Sequence, residues 1–468
     1  MEGRRPEIVV AGVGLAIVAL LIGAVLFGIT TTEYNVWGGI IIAPVLIGLT
    51  LPALWRQAER EGDRTVFRFL VLALLVKVVL GTLARYYAAY WVYNGSFNDS
   101  GAYHDAGVAL ANQFRAGDFA TGLDSLTGTD FLRLLPGILY TGIGPTRLGG
   151  FVILSWLAFL GLFFFYRAFA LAVPEGRART YGRFLFFLPS IVYWPSSIGK
   201  DAWMVFALGI GALGAAYLFT GRRGTGVALV VTGVALSGVV RLHMAAILLV
   251  AVAVAFVYQS FRRREGRSSF RARLVTIGVF VVAFAVLAPL AQQFLQDADI
   301  DTTGGLSTAL EGLAEQTDEG MSTFEPPVLD SPINAPLAVV TVLFRPAPFE
   351  AHNATALIAA LEGVFLVGFL ILRLRWLGAA FRQVPRRGYV MFAVGFTILF
   401  VIAFSSISNF GILSRQRVQV LPLFLVLLAI PSRGARRRER ERRGEAAEEG
   451  EPAVDMEPVD RPTVRVAG

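Results

Sequence analysis

The sequence contains no cysteine. That excludes disulfides, thiolate metal sites and a cysteine nucleophile, and leaves the compartment open. Charge is scarce as well: 16% of the 468 residues are Asp, Glu, Lys or Arg, where a soluble domain carries about 25%. No internal repeat, P-loop or nucleotide-binding glycine motif occurs, and no polar stretch is long enough to fold as a soluble domain. What is present is apolar: 55% of the residues are hydrophobic and the mean hydropathy is +0.62. Apolar runs able to cross a hydrocarbon core of roughly 30 Å recur from residue 8 to residue 431. Runs such as "LAIVALLIGAVLF" are apolar all round rather than alternating, which argues against a β-barrel. The fold class this predicts is an all-α, polytopic transmembrane bundle.

The hydropathy pattern places about twelve spans, at 8–30, 36–54, 66–92, 146–172, 184–197, 201–220, 225–240, 242–259, 274–294, 354–374, 389–408 and 412–431. The net charge of +8 is not read as a nucleic-acid signal, because the arginines sit in short segments between spans. Arg4 and Arg5, Arg56 to Arg68, Arg177 to Arg183, Arg222 and Arg223, and the runs at 261–273, 373–387 and 433–443 mark every second connection. This positive-inside pattern puts both termini in the cytoplasm of a plasma-membrane protein, its transmembrane domain covering 1–431. The first span has no small-residue cleavage site after it ("FGITTTEYN") and reads as an uncleaved anchor. Residues 432–468 read as a disordered, charged cytoplasmic tail. Residues 93–145 and 295–353 fall outside, and the apolar part of each is expected to lie in the interface or re-enter the membrane.

With the sides assigned, the unusual polar residues gather on the outer face. His104, His243 and His352 all lie there, as do Lys200, Arg241, Arg345, Arg415 and Arg417. Charges at membrane level are costly and point to function. In "PSSIGKDAW" two spans meet with almost no loop. Asp201 either caps the second helix, with Lys200 touching lipid phosphate, or Lys200 is a phosphate ligand inside a cavity. In "LSGVVRLHMAA" Arg241 either ends a span or joins His243 in that cavity. Arg415 and Arg417 are two apart, so a helix points them to different sides: one toward a phosphate, the other toward an acid or headgroups. Arg345 is followed closely by Glu350 and His352. Lys77 stands alone in mid-span, where an unpaired charge costs roughly 2.5–3.5 kcal/mol.

The polar island "SFNDSGAYHDAG" follows the third span. On a helix, Asp99 and Tyr103 share one face while His104 and Asp105 point elsewhere. Asp99 would be a general base or would hold a divalent metal, Mg or Mn, with Asp105 behind it and Tyr103 against a sugar. The alternative is a solvated loop with a helix-capping aspartate.

"NDSGAY" (98–103), a carboxylate followed by a tyrosine and a short amphipathic stretch, resembles the acidic outer-loop motif of the GT-C superfamily of integral-membrane glycosyltransferases, and "PSSIGKD" is a looser likeness. The resemblance covers the general layout and one short motif. It departs in that the acid follows the third span rather than the first, and "ND" replaces paired acids. It implies transfer of a sugar from a polyprenyl-phosphate carrier to a glycan or lipid acceptor on the outer side, in cell-envelope glycan assembly, with Asp99 as the site carboxylate. A surface-polysaccharide polymerase or ligase, with Arg241, Arg345, Arg415 and Arg417 holding lipid diphosphates, is the second expectation. A lipid-linked sugar transporter is the third, although no inverted repeat or mid-membrane break supports it.

Overall fold

The computed structural model describes residues 25–93, 99–262, 323–326 and 334–432, with scattered residues among 19–23, 274–285 and 434–435. The expected tail beyond 435, the span 274–294 apart from a few residues, and most of the span 8–30 lie outside the described residues. Within them the chain is helical, and the only extended pairing is a single antiparallel bridge between Thr323 and Asn409.

Helices α1 (Tyr34–Glu61) and α2 (Arg64–Val92) form the first hairpin. Gly62, at φ 66°, takes the left-handed conformation that closes α1, and Asp63 caps α2 by accepting from the Thr65 amide at 2.9 Å. Inside α2, Val76–Gly81 and Ala88–Val92 are π-helical. Next come α3 (Asp99–Arg115) and α4 (Gly128–Ile143), which pack against each other through Gly107 and Gly137. A Cβ on Gly107 would lie 2.6 Å from Pro136, and one on Gly137 2.8 Å from Leu110. Within the expected outer segment 93–145, residues 99–143 therefore form a helical hairpin.

The centre follows: α5 (Arg147–Ala172), α6 (Ala178–Phe187), α7 (Pro189–Tyr193), α8 (Lys200–Phe219), α9 (Arg223–Val240) and α10 (Leu242–Arg262). The expected span 184–197 does not form as one helix. Leu188 precedes Pro189 and is driven out of helical geometry to ψ 129°, so α6 stops there and α7 lasts five residues. The chain ends its described part with α11 (Ala335–Phe344), α12 (Ala354–Leu372), α13 (Leu374–Gln383), α14 (Gly388–Phe404), α15 (Phe410–Gln419) and α16 (Leu421–Leu428).

Seven of these helices are long and apolar enough to cross a membrane, namely α1, α2, α5, α8, α9, α10 and α12. The pairs α13–α14 and α15–α16 are bent by 115° and 63°, and counting each as one span raises the total to nine among the described residues. The chain is thus a multi-pass membrane protein, and two of the expected twelve spans, 8–30 and 274–294, fall mostly outside the described residues over which these seven to nine are counted. Burial separates centre from rim: 78% of the apolar window of α8 and 72% of that of α5 are buried, against 17% for α1 and 28% for α12. Side chains such as Leu49, Trp91 and Leu372 on the rim stay exposed and suit lipid. Lipid is as apolar as the interior, so close van der Waals packing rather than water exclusion must hold the centre. Glycine supplies it: Gly161 on α5 meets the α8 backbone at Val205 and Phe206, and Gly233 on α9 meets Gly211 on α8.

Candidate functional site

The polar centre of the molecule is built on the first turn of α8. Gly199 leaves the preceding turn in extended geometry, and Lys200 and Asp201 begin the helix. A carboxylate suits the positive end of a helix, yet Asp201 is not the cap, since no side-chain cap bond forms there. Its oxygens are instead taken by two arginines. Arg415 on α15 donates through Nε to Oδ2, and Arg241, in the break between α9 and α10, reaches Oδ1 at 3.4 Å. Asp201 is almost wholly buried, its side chain 4% exposed. Arg241 also donates to Gln416 Oε1 at 2.5 Å, and that oxygen accepts from Gln419 at 2.6 Å. Asn409 fixes the start of α15 by accepting from the amides of Gly411 and Ile412, which sets the direction of Arg415.

Asp99 enters from the N-terminus of α3. Its Oδ2 lies 3.3 Å from Arg415 Nη1, and its side chain is 60% exposed. One guanidinium thus bridges a buried and an exposed carboxylate. Lys200 Nζ donates to Thr129 at 2.8 Å, tying α8 to α4. Tyr103 is buried beside Asp99 and Thr129, and burial first, then the Asp99 charge, pushes its hydroxyl up so that it remains a protonated donor. Next to this group opens a cavity of about 390 Å³, lined by Arg85, Tyr93, Tyr193, Trp194, Thr355 and Arg415 among others. Arg85 and Arg415 line it, and behind Arg415 stand Asp99, Asp201, Arg241 and Lys200, so positive charge is in excess over the group. A second, apolar groove of about 510 Å³ follows along the same elements, lined by Phe184, Phe187, Pro189, Ile358, Leu361 and Phe365 with Glu362 at its wall.

Of the five cations expected together, Lys200, Arg241 and Arg415 lie near Asp201, and only Arg415 among them lines the cavity. The other two go elsewhere. Arg417 is fully buried and faces away from Arg415, as their spacing predicts. Its Nη1 donates to the carbonyls of Leu343 and Arg345 at 3.2 Å, and Nη2 lies 3.7 Å from Glu362 on α12. Glu362 in turn accepts from the amide and hydroxyl of Ser190 at 2.6 and 2.5 Å. Arg345 pairs with Glu350, Nε to carboxylate at 3.1 Å, and lies over the stacked rings of Phe324 and Phe410. Burial works to raise Glu350, and the Arg345 and Ala347 donors overcome it, holding its carboxyl below the usual range.

The histidines do not gather at the site. His104 is buried between α3 and α4, its Nδ1 2.9 Å from the Tyr140 hydroxyl. Burial, reinforced by Arg147, lowers its pKa to about 4, so it is a neutral packing residue rather than a substrate ligand. His243 packs edge-on against Phe404, ring centroids 5.7 Å apart, and His352 is exposed beyond the Arg345–Glu350 pair. Asp105 is exposed on another flank of α3 and reaches neither Arg241 nor Arg415, so it does not stand behind Asp99. Among the described residues Lys77 takes no carboxylate. It donates to the carbonyls of Ile191 and Val192 at 2.9 and 3.0 Å and to Ser196 at 2.8 Å, groups that the break after α7 leaves open.

The donor set does not fit a resident divalent cation. Both site carboxylates are bound by arginine, and among the described residues no group of three or more His, Asp or Glu is placed to hold a metal. No family model, curated protein or solved structure matches the chain.

Proposed function

We propose that the chain is a plasma-membrane glycosyltransferase, both termini cytoplasmic, that moves a sugar from a polyprenyl-phosphate carrier to a glycan or lipid acceptor in cell-envelope glycan assembly. The observation that carries this reading is the half-exposed carboxylate of Asp99 set beside a buried, arginine-rich centre and an adjoining cavity. In the reaction the acceptor hydroxyl oxygen attacks the anomeric carbon and gives its proton to Asp99. The bond from that carbon to the phosphate oxygen breaks, and the carrier leaves as a phosphate anion. Arg415 and Lys200 stabilise the charge that develops on this leaving group. Asp201, itself held by Arg241, keeps Arg415 in place, and Tyr103 donates to the sugar. The apolar groove beginning one turn away, from Tyr193 back to Pro189 and from Thr355 on to Ile358, suits the carrier chain. No step is routed through a metal ion.

The test is sugar transfer from a prenyl-phosphate sugar in reconstituted vesicles. Asp99→Asn keeps the shape and removes the base, so transfer should fall by about 10²–10⁴-fold, with the thermal midpoint nearly unchanged. Near-normal transfer would remove Asp99 from the chemistry. The polymerase or ligase reading would then lead, since the arginines facing the cavity, Arg85 and Arg415, would be the working residues.

A further inference from the structure

Arg85 has no part in the ion-pair network, yet it faces the same cavity as Arg415. It sits on the short α-helical stretch Thr82–Tyr87 of α2, between the two π-helical segments. Such π turns rotate the side chains that follow and recur at functional sites. The guanidinium carbon lies 5.0 Å from the ring centroid of Tyr193 and 5.2 Å from that of Trp194, and Nη1 donates to the Tyr193 hydroxyl at 3.2 Å. Nε is buried and meets no acceptor. Among the described residues Arg85 forms no ion pair. Aromatic faces hold the cation in position without neutralising it, and a buried donor left unused is costly.

We infer that Arg85 and Arg415 together form an anion site for a phosphate group, with Arg85 as its anchor. Two forked guanidiniums match the oxygens of a phosphate ester. Arg415 already donates to two carboxylates, and these are unequal. Asp201 is buried, whereas Asp99 is exposed and held at 3.3 Å. An arriving phosphate therefore displaces Asp99 from Arg415 and leaves Asp201 in place. Binding of the anion releases the Asp99 carboxylate to accept a proton, so the site couples occupancy to reactivity. Trp194 and Tyr93 line the same cavity and give a phosphate that carries a sugar or a prenyl chain an apolar surface to lie on. The coupling to reactivity rests on the transferase reading; the anion site stands without it.

The test is calorimetric titration of the full chain in phosphatidylcholine nanodiscs, with farnesyl phosphate in one arm and inorganic phosphate in the other. Farnesyl phosphate should bind the native chain, and Arg85→Gln should weaken it by about tenfold or more, as expected for lost charge-assisted hydrogen bonds. Arg85→Lys, which keeps the charge and loses the fork, should be intermediate and serves if the glutamine variant does not fold. Asp99→Asn should tighten binding several-fold, because the competitor for Arg415 is gone. Arg85-dependent binding of farnesyl phosphate alone assigns the site to a lipid headgroup; equal binding of inorganic phosphate assigns it to the phosphate itself. Either supports the anion site. Absence of binding in both arms, or an affinity unmoved by both Arg85 substitutions, overturns it, and weaker binding in Asp99→Asn overturns the displacement. Arg85-dependent binding without any sugar transfer would sink the transferase reading and leave the anion site standing.

Discussion

Replacing Asp201 by asparagine removes the one charge that two arginines share. The Asp201 side chain is 4% exposed, Arg241 10% and Arg415 26%, so solvent does little to screen what is left behind. Breaking a buried ion pair by deleting one partner costs about 3–5 kcal/mol. Three features place Asp201→Asn near the low end. Asparagine keeps an acceptor, Arg415 keeps Asp99, and Arg241 keeps Gln416. The expected loss is about 3 kcal/mol. Asp99→Asn, at an exposed pair, should cost only about 0–1 kcal/mol. Reversible unfolding in mixed micelles, followed by circular dichroism during titration with dodecyl sulfate, measures both. The double variant Asp201→Asn/Arg241→Gln should lose less than the sum of the single variants, since each removes the other's partner. A loss below about 1 kcal/mol for Asp201→Asn, or one no larger than that of Asp99→Asn, would refute Asp201 as the centre of the network.

Two more outcomes follow. The His104 pKa falls from 6.5 in the unfolded chain to about 4 in the folded one, so between these values the unfolded state binds the extra proton. The stability this provides is present above pH 6.5 and is lost as pH falls through about 4; the thermal midpoint of His104→Asn should drop less steeply over that window, and equal slopes would exclude the burial argument. The native chain has no cysteine background, so Ser125→Cys should label with an impermeant reagent on intact cells while Thr220→Cys, about 30 Å along α8, should not; the reverse would invert the topology.

The sequence made the class legible, because long all-round apolar runs have few other folds. It also made legible the opposed directions of Arg415 and Arg417 and the common face of Asp99 and Tyr103, since both follow from helical period alone. Asp201 was seen only as a capping residue: its arginines lie 40 and 214 positions away, and no local pattern joins them. Arg85 passed unnoticed, because the aromatic pair holding it comes more than a hundred residues later. Glu362, Thr129 and Gln416 passed unnoticed for the same reason. His104 was misread since Tyr140, which buries it, belongs to a segment taken as interfacial. The failure of the span 184–197 was not foreseen: α7 stops at Tyr193, ahead of Pro195, and leaves open the Ile191 and Val192 carbonyls that satisfy Lys77, so the unexplained mid-span charge and the failed span explain each other.

The glycine contacts between α5, α8 and α9 bear on how this sequence can change over generations. At Gly161, Gly209 and Gly233 the neighbour is backbone rather than a side chain that turns aside, so even alanine would force two helices apart. Positions on the rim, such as Leu49 and Leu372, accept any apolar residue. Mutational tolerance should therefore run opposite to hydrophobicity: the smallest residues are the hardest to replace, and the largest ones the easiest. A saturation library scored only for membrane insertion would miss this gradient, and one scored for folded protein would map the three-helix centre by its intolerance of a methyl group.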